Sequence, residues 1–282
     1  HTEFFADADA IADAKAEIFT GAQAGAIAVL NADIAEFDRL VKAAHAAGLT
    51  QVVSFGSTQN ADFRLLECIL NAQGSEVSAQ TPLGEISYVL GVPGSHWVNN
   101  SLCVLASVHA AGANVIEAAK VLSDLSALSG RGQQFDVEIN DGSLLLIDES
   151  YNASPASMRA AMAVLGAQPM NGGARRIAVL GDMLEMGETS PQLHTDLASA
   201  FQNNCIDLAF LAGEAMAHMW QALPASARGH YSETSDLLVD VVCQAVRPGD
   251  VVMVKGSAGM GMNQIVNALK SLNTSHPAKR EI

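Results

Sequence analysis

Small and apolar residues recur at helical spacing over residues 7–19, and Thr20-Gly21 closes that stretch. Residues 26–30 then read as a strand, 34–47 as a helix closed by Gly48, and 51–55 as a second strand. From about Asp62 to Val92 the pattern changes to short alternating runs broken by Gly74, Pro82 and Gly84, which predicts an antiparallel section. Two helices are predicted next, over 97–111 and 114–125, with Asn114 as the N-cap of the second. The polar, glycine-containing stretch 126–134 is read as a linker between one domain at 1–127 and another at 128–282. Beyond it come two strands, the second an apolar run at 143–147, and a helix over 155–165. Strands near 176–181, 207–212 and 250–255 follow, with helices between. Alternation of this kind predicts an α/β chain whose second half is a mostly parallel sheet covered by helices on both faces.

Composition narrows the class. In 282 residues, 49% hydrophobic and 16% charged content is that of a folded globular chain, and the length allows two separate cores. No window approaches the roughly 18 uninterrupted apolar residues of a membrane span, and no signal peptide is visible, so a cytoplasmic protein is expected. The four cysteines (Cys68, Cys103, Cys205 and Cys243) show no metal spacing and are expected as buried free thiols. A formal charge of −15 argues against nucleic-acid or anionic-membrane partners, leaving small molecules held by locally focused cations. Residue 1 is His, so the chain is expected to be trimmed or to start partway through a longer protein.

Candidate chemistry gathers where strands end. Asp148-Glu149-Ser150-Tyr151-Asn152-Ala153-Ser154-Pro155 follows the 143–147 run and precedes a helix, at the edge where open α/β sheets bind ligands. It is equally an ordinary strand-to-helix loop rich in capping residues. Two further loops end strands: Gly181-Asp182-Met183-Leu184-Glu185-Met186-Gly187-Glu188, and Lys255-Gly256-Ser257-Ala258-Gly259, the second a fair carboxylate or phosphate cradle. The three loops of one sheet are expected to converge. Arg131, between two glycines, is either a solvated linker charge or a phosphate fork. Asn100, in Gly94-Ser95-His96-Trp97-Val98-Asn99-Asn100, is either part of a polar helix start or a donor and acceptor for a purine edge. Lys15 is either a snorkelling surface lysine or one that reacts with carbon dioxide to give a carbamate able to hold magnesium. No GxxxxGK followed by Ser or Thr occurs, so the main triphosphate cradle is absent from the chain.

With these residues laid out, the chain resembles the Mur ligase family, in its D-alanyl-D-alanine-adding branch. His1-Thr2-Glu3 and Ala14-Lys15-Ala16-Glu17-Ile18-Phe19 are similar to the family's magnesium-binding histidine and carbamylated-lysine segments, and Asp182-Met183-Leu184-Glu185-Met186-Gly187 and Lys255-Gly256-Ser257 resemble that branch. No DNPR-type motif of the diaminopimelate- or lysine-adding branch occurs. The resemblance implies part of the central ATPase domain followed by a Rossmann-like C-terminal domain, without the N-terminal domain and P-loop. It also implies that His1 and carbamylated Lys15 are catalytic and hold Mg²⁺. Asn100, Arg131, Asp148, Glu149 and Tyr151 would contact ATP, the Asp148–Glu149 pair at the ribose. Asn152, Asp182, Lys255 and Ser257 would face substrate. The implied reaction joins D-alanyl-D-alanine to UDP-N-acetylmuramoyl-tripeptide through an acyl phosphate, in a monomeric cytoplasmic enzyme of peptidoglycan synthesis. ATP contacts on both sides of the linker imply domain closure, and the chain alone is expected to be inactive. Two alternatives stand beside it: another Mur or folylpolyglutamate-type ligase, and a non-catalytic Rossmann-like binding module.

Overall fold

The computed structural model describes residues 5, 7–71, 74–139, 142–170 and 172–272. The chain divides into two compact units, His1–Ser126 and Ala127–Ile282.

The first unit opens with α1 (Ala8–Ala16), whose N-cap Asp7 accepts from Ala10 N–H at 2.8 Å. Next are β1 (Ile27–Asn31), α2 (Phe37–Ala46) and β2 (Gln51–Gly56). Then β3 (Phe63–Leu70), β4 (Ser75–Thr81) and β5 (Gly84–Leu90) form a meander, and α3 (Ser95–Ala110) and α4 (Val115–Val121) complete the unit. The sheet order is β1-β2-β3-β4-β5. The first two pairings are parallel and the last two antiparallel, so the expected antiparallel section is present and joins a parallel one at β3. Leu40 and Ala44, one turn apart on α2, pack with Ala12, Phe19, Ala28 and Leu30 beneath α1. Asn114 caps α4, its side-chain oxygen accepting from Ile116 and Glu117 N–H.

The second unit runs β6 (Gln133–Ile139), β7 (Gly142–Glu149), α5 (Pro155–Gly166), β8 (Arg176–Gly181), α6 (Ser190–Asn203), β9 (Leu208–Ala212), α7 (Met216–Ala222), β10 (Arg228–Ser232), α8 (Asp236–Ala245), β11 (Val251–Lys255) and α9 (Asn263–Ser271). The sheet order is β10-β9-β8-β11-β7-β6, parallel except at β6–β7. Its central strands β7, β8, β9 and β11 are buried on both faces, and alternation sorts their residues between two cores. Ile147, Ala178, Leu180, Val251 and Met253 pack with Met158, Met162 and Phe201 of α5 and α6. Leu146, Ile177, Val179, Val252 and Val254 pack on the other face with Leu238, Val242, Ile265 and Leu269 of α8 and α9.

Two local expectations are corrected. The run 143–147 extends to Glu149, because β7 is paired on both sides there: Asp148 lies between Val254 and Gln133, and Glu149 is opposite Lys255. Asp148 and Glu149 therefore end a strand instead of sitting on a turn. The strand β10 had no apolar signature; it is a sheet edge, and Arg228-Gly229-His230-Tyr231-Ser232 buries only its last residue. Among the described residues no helix is long and apolar enough to cross a membrane.

Candidate functional site

The parallel register of β7, β11 and β8 brings their three carboxyl ends to one edge of the second unit's sheet. Glu149, Leu180 and Lys255 lie side by side in that register, and the loops that follow them touch. Lys255, 3% exposed, donates to the Asn152 carbonyl at 2.8 Å and to Glu149 Oε2 at 3.3 Å. These contacts use two of the three N–H groups of the ammonium. Burial pushes the Lys255 pKa down and the Glu149 pKa up, while the attraction between the two charges opposes both shifts. Here Lys255 is a cross-link that fixes the Tyr151–Asn152 turn, and among the described residues its third N–H is not taken up.

Asp148 and Glu149 do not act as a pair. Consecutive strand residues point to opposite faces: Glu149 follows Ile147 to the α5 side, and Asp148 follows Leu146 to the α9 side. The carboxylate of Asp148 is committed to two backbone N–H groups and one hydroxyl. Its Oδ2 accepts from Gly130 N–H at 3.0 Å, and its Oδ1 accepts from the N–H and hydroxyl of Ser150 at 3.1 and 2.6 Å. The two side chains thus leave the strand on opposite faces of the sheet.

What Asp148 does is present Arg131. Gly130 adopts φ +71°, and a Cβ there would stand 2.9 Å from Tyr151 Cβ, so the turn needs glycine. The turn sets the Arg131 guanidinium 4.1 Å from the centre of the Tyr151 ring, which is itself 53% exposed. The cation is thus held against the face of an exposed ring, and a guanidinium is the side chain best suited to forking an anion. Beside it lies a cleft of about 410 Å³ lined by Ser129, Gly130, Ser150, Tyr151, Asn263 and Lys270, among others.

The third loop joins through Ser257. Its N–H donates to the Asp182 carbonyl at 3.1 Å and its Oγ accepts from Leu184 N–H at 2.9 Å. The buried carboxylate of Asp182 points to the start of α7, accepting from Ala215 and Met216 N–H at 3.1 and 2.7 Å. Gly213 at φ +116° allows that approach, since a Cβ there would lie 2.3 Å from the carboxylate carbon. The structure thus gives Asp182 a capping job and Ser257 a loop-joining one, and it brings Glu149, Asn152, Asp182, Lys255 and Ser257 into one connected group.

Two candidates lie in the first unit. Lys15 is exposed in the last turn of α1, and Asn100 is exposed on the second turn of α3. His1 lies outside the described residues. Among the described residues no group of three His, Cys, Asp or Glu side chains is placed to hold a metal ion.

Two structural polar residues were not singled out from sequence. Asp33, just past β1, accepts from Ser57 N–H, Thr58 N–H and the Thr58 hydroxyl, and so holds the loop after β2. Burial alone would raise its pKa, but these hydrogen bonds hold it below the usual value. His194, fully buried on α6, accepts from Met183 N–H at 3.0 Å. The clue for Asp33 is a Gly-Ser-Thr run directly after a strand; for His194 it is a lone histidine on an otherwise apolar helix face.

Comparison with known proteins finds matches to both units. Residues 1–108 match the Mur ligase middle domain, and residues 130–258 match the model described as Mur ligase, glutamate ligase domain. The UDP-N-acetylmuramoyl-tripeptide–D-alanyl-D-alanine ligase of Escherichia coli K12 is 31% identical over 97% of this chain and 58% of its own length. The Bacillus subtilis protein of the same name is 27% identical, over 95% and 56%. Among solved structures, MurF from Acinetobacter baumannii aligns with a TM-score of 0.80 at 25% identity, covering 95% of this chain and 56% of that one. MurF ligase from Thermotoga maritima, crystallised in complex with ADP, shares the fold with a TM-score of 0.76 at 22% identity, covering 96% and 59%. The chain spans somewhat over half the length of these relatives.

Proposed function

The chain belongs to the Mur ligase family, and on that premise we propose that it forms part of the central ATPase domain and the C-terminal ligase domain of an ATP-dependent enzyme joining D-alanyl-D-alanine to UDP-N-acetylmuramoyl-tripeptide. The observation that carries this reading is the Arg131 fork stacked on Tyr151, beside the Lys255–Asn152–Ser257 group at one sheet edge. A cation for phosphate and polar loops for a small zwitterion stand there together.

In the proposed reaction a carboxylate oxygen of the tripeptide attacks the γ-phosphorus of ATP, and the bond to ADP breaks. The amine of D-alanyl-D-alanine then adds to the acyl carbon, and the tetrahedral intermediate expels inorganic phosphate as the amide forms. Such chemistry asks a protein for positioning and charge neutralisation more than for covalent participation. Arg131 would offset phosphate charge. An N–H of Lys255 and the amide of Asn152 would orient the incoming dipeptide, with Glu149 holding Lys255 and the Asp182 carbonyl holding Ser257 in place. Asn100 would meet the adenine. Lys15, as a carbamate, would hold magnesium together with His1. The reading sets the enzyme in the cytoplasm, as a monomer acting on small molecules; the four cysteines are free, as a reducing compartment allows, but contrary to expectation none is fully buried and Cys205 is exposed.

Titration calorimetry on the 282-residue chain tests the proposal with MgATP and with D-alanyl-D-alanine. The dipeptide should bind and MgATP should bind weakly, since the chain carries no GxxxxGK cradle; Arg131→Ala should weaken MgATP about tenfold further while leaving the dipeptide unaffected, as expected for loss of one charged fork. A folded chain that binds neither, or prefers another amino acid from a panel, overturns it. The carbamate is tested separately: ¹³C-bicarbonate should give a carbamate carbon resonance that Lys15→Ala removes, and its absence from the native chain ends that assignment.

A further inference from the structure

His194 sits on the second turn of α6 with both ring nitrogens engaged. Nε2 lies 3.0 Å from Met183 N and Nδ1 lies 2.7 Å from the Ser190 carbonyl oxygen. A backbone N–H can only donate and a carbonyl can only accept, so the pattern dictates one tautomer. Nδ1 carries the proton and Nε2 offers its lone pair. Residue 183 is the centre of the strand-end loop: the carbonyl of Asp182 before it accepts from Ser257 N–H, and Leu184 N–H after it donates to Ser257 Oγ.

We propose that neutral, Nδ1-protonated His194 is a positioning residue that pins the 182–184 loop, and through it Ser257, at the carboxyl edge of the sheet, and that protonating the ring releases this loop. A second proton would occupy Nε2, turning Met183 N–H from a partner into an opposing donor. The new cation would then face the Asp182 carboxylate, whose Oδ1 is 4.0 Å away, and draw it from the start of α7. The titratable groups facing the ring are Asp182, which favours the cation, and His218, which opposes it; burial, the largest influence, keeps the ring neutral. Because the folded pKa is depressed below the ordinary 6.5, stability supplied by this contact is complete above that pH and is lost as pH falls through the folded value. The inference rests on the geometry of the second unit. It touches the ligase reading only where Ser257 is taken to border the substrate.

Two neutral substitutions separate the two ring nitrogens. His194→Gln keeps an acceptor near the place of Nε2, whereas His194→Asn keeps only a donor near the place of Nδ1. Amide hydrogen exchange of Met183 and Leu184 in the 282-residue chain, corrected for intrinsic rates, is the readout. In the native chain protection should fall as pH drops below about 6.5, whereas in His194→Gln it should persist and be independent of pH. In His194→Asn both amides should exchange about tenfold faster or more at every pH, the change expected when a buried amide loses its acceptor, with β8 and β9 still protected. ¹⁵N resonances of the native imidazole provide a check that needs no variant: they should report a protonated Nδ1 and a bare Nε2 at neutral pH. A protonated Nε2, pH-independent exchange in the native chain, or native-like protection in His194→Asn overturns the proposal. If the dipeptide binds, His194→Asn should weaken it and His194→Gln should not. If it binds no form of the chain, the ligase reading fails while the exchange data still decide the role of His194.

Discussion

Lys255 and Glu149 show what burial does to a pair of charges. Each is pushed toward neutrality by desolvation and held charged by the other. Removing one partner leaves the other uncompensated, which costs about 3–5 kcal/mol for a buried pair. Urea unfolding should therefore show Lys255→Met and Glu149→Gln each strongly destabilised, and the double variant losing much less than the sum. Additive losses would mean that the contact carries no coupling. The lysine variant also has a distinctive pH response. Without its cation Glu149 is raised further, and a raised folded pKa gives stability at low pH that is lost as pH rises through it. That variant should be more stable near pH 5 than near pH 8, and the opposite slope would refute the argument. These residue types and their places at strand ends are legible in sequence, but their partners are not. Asp148 and Asp182 read as ligand groups, yet their carboxylates hold Gly130, Ser150 and the start of α7. A capping aspartate and a binding aspartate look alike until the backbone N–H groups around them are placed.

Among the elements, the ends of β8 and β11 approach so closely that side chains are excluded. A Cβ on Gly256 would lie 2.6 Å from Met262 Cγ and 3.1 Å from Gly181 Cα. Gly256→Ala should destabilise the second unit by about 1–3 kcal/mol, the usual cost of overpacking, seen as a lower midpoint in thermal unfolding. A neutral result would show that the Met262 side chain gives way freely. Helices and central strands were legible because periodicity records which faces are buried: β8 and β11 are continuous apolar runs, and α2 repeats Leu40 and Ala44 one turn apart. The strand β10 was not legible, since an edge strand needs no apolar alternation. The end of β7 was not either, since pairing with β11 and β6, not local preference, carries it through Glu149.

For the whole molecule, the second unit has a core on each face of its sheet, built from its own residues. A chain of residues 127–272 should fold by itself and unfold cooperatively, with matching transitions by circular dichroism and tryptophan fluorescence from Trp220. Non-coincident curves would show that it needs the first unit. The α/β class and the parallel second half were determined by the sequence alone, because alternating helical and strand periods leave few ways to bury every apolar face. Lys, Arg, Asp and Asn at strand ends were equally visible there. Which of them meet was decided by tertiary structure: sheet register laid Lys255 beside Glu149, strand alternation sent Asp148 to the other face, and a buried histidine claimed the amide of Met183. Contacts between residues far apart in the chain depend on how strands order and align, and local pattern holds no record of that.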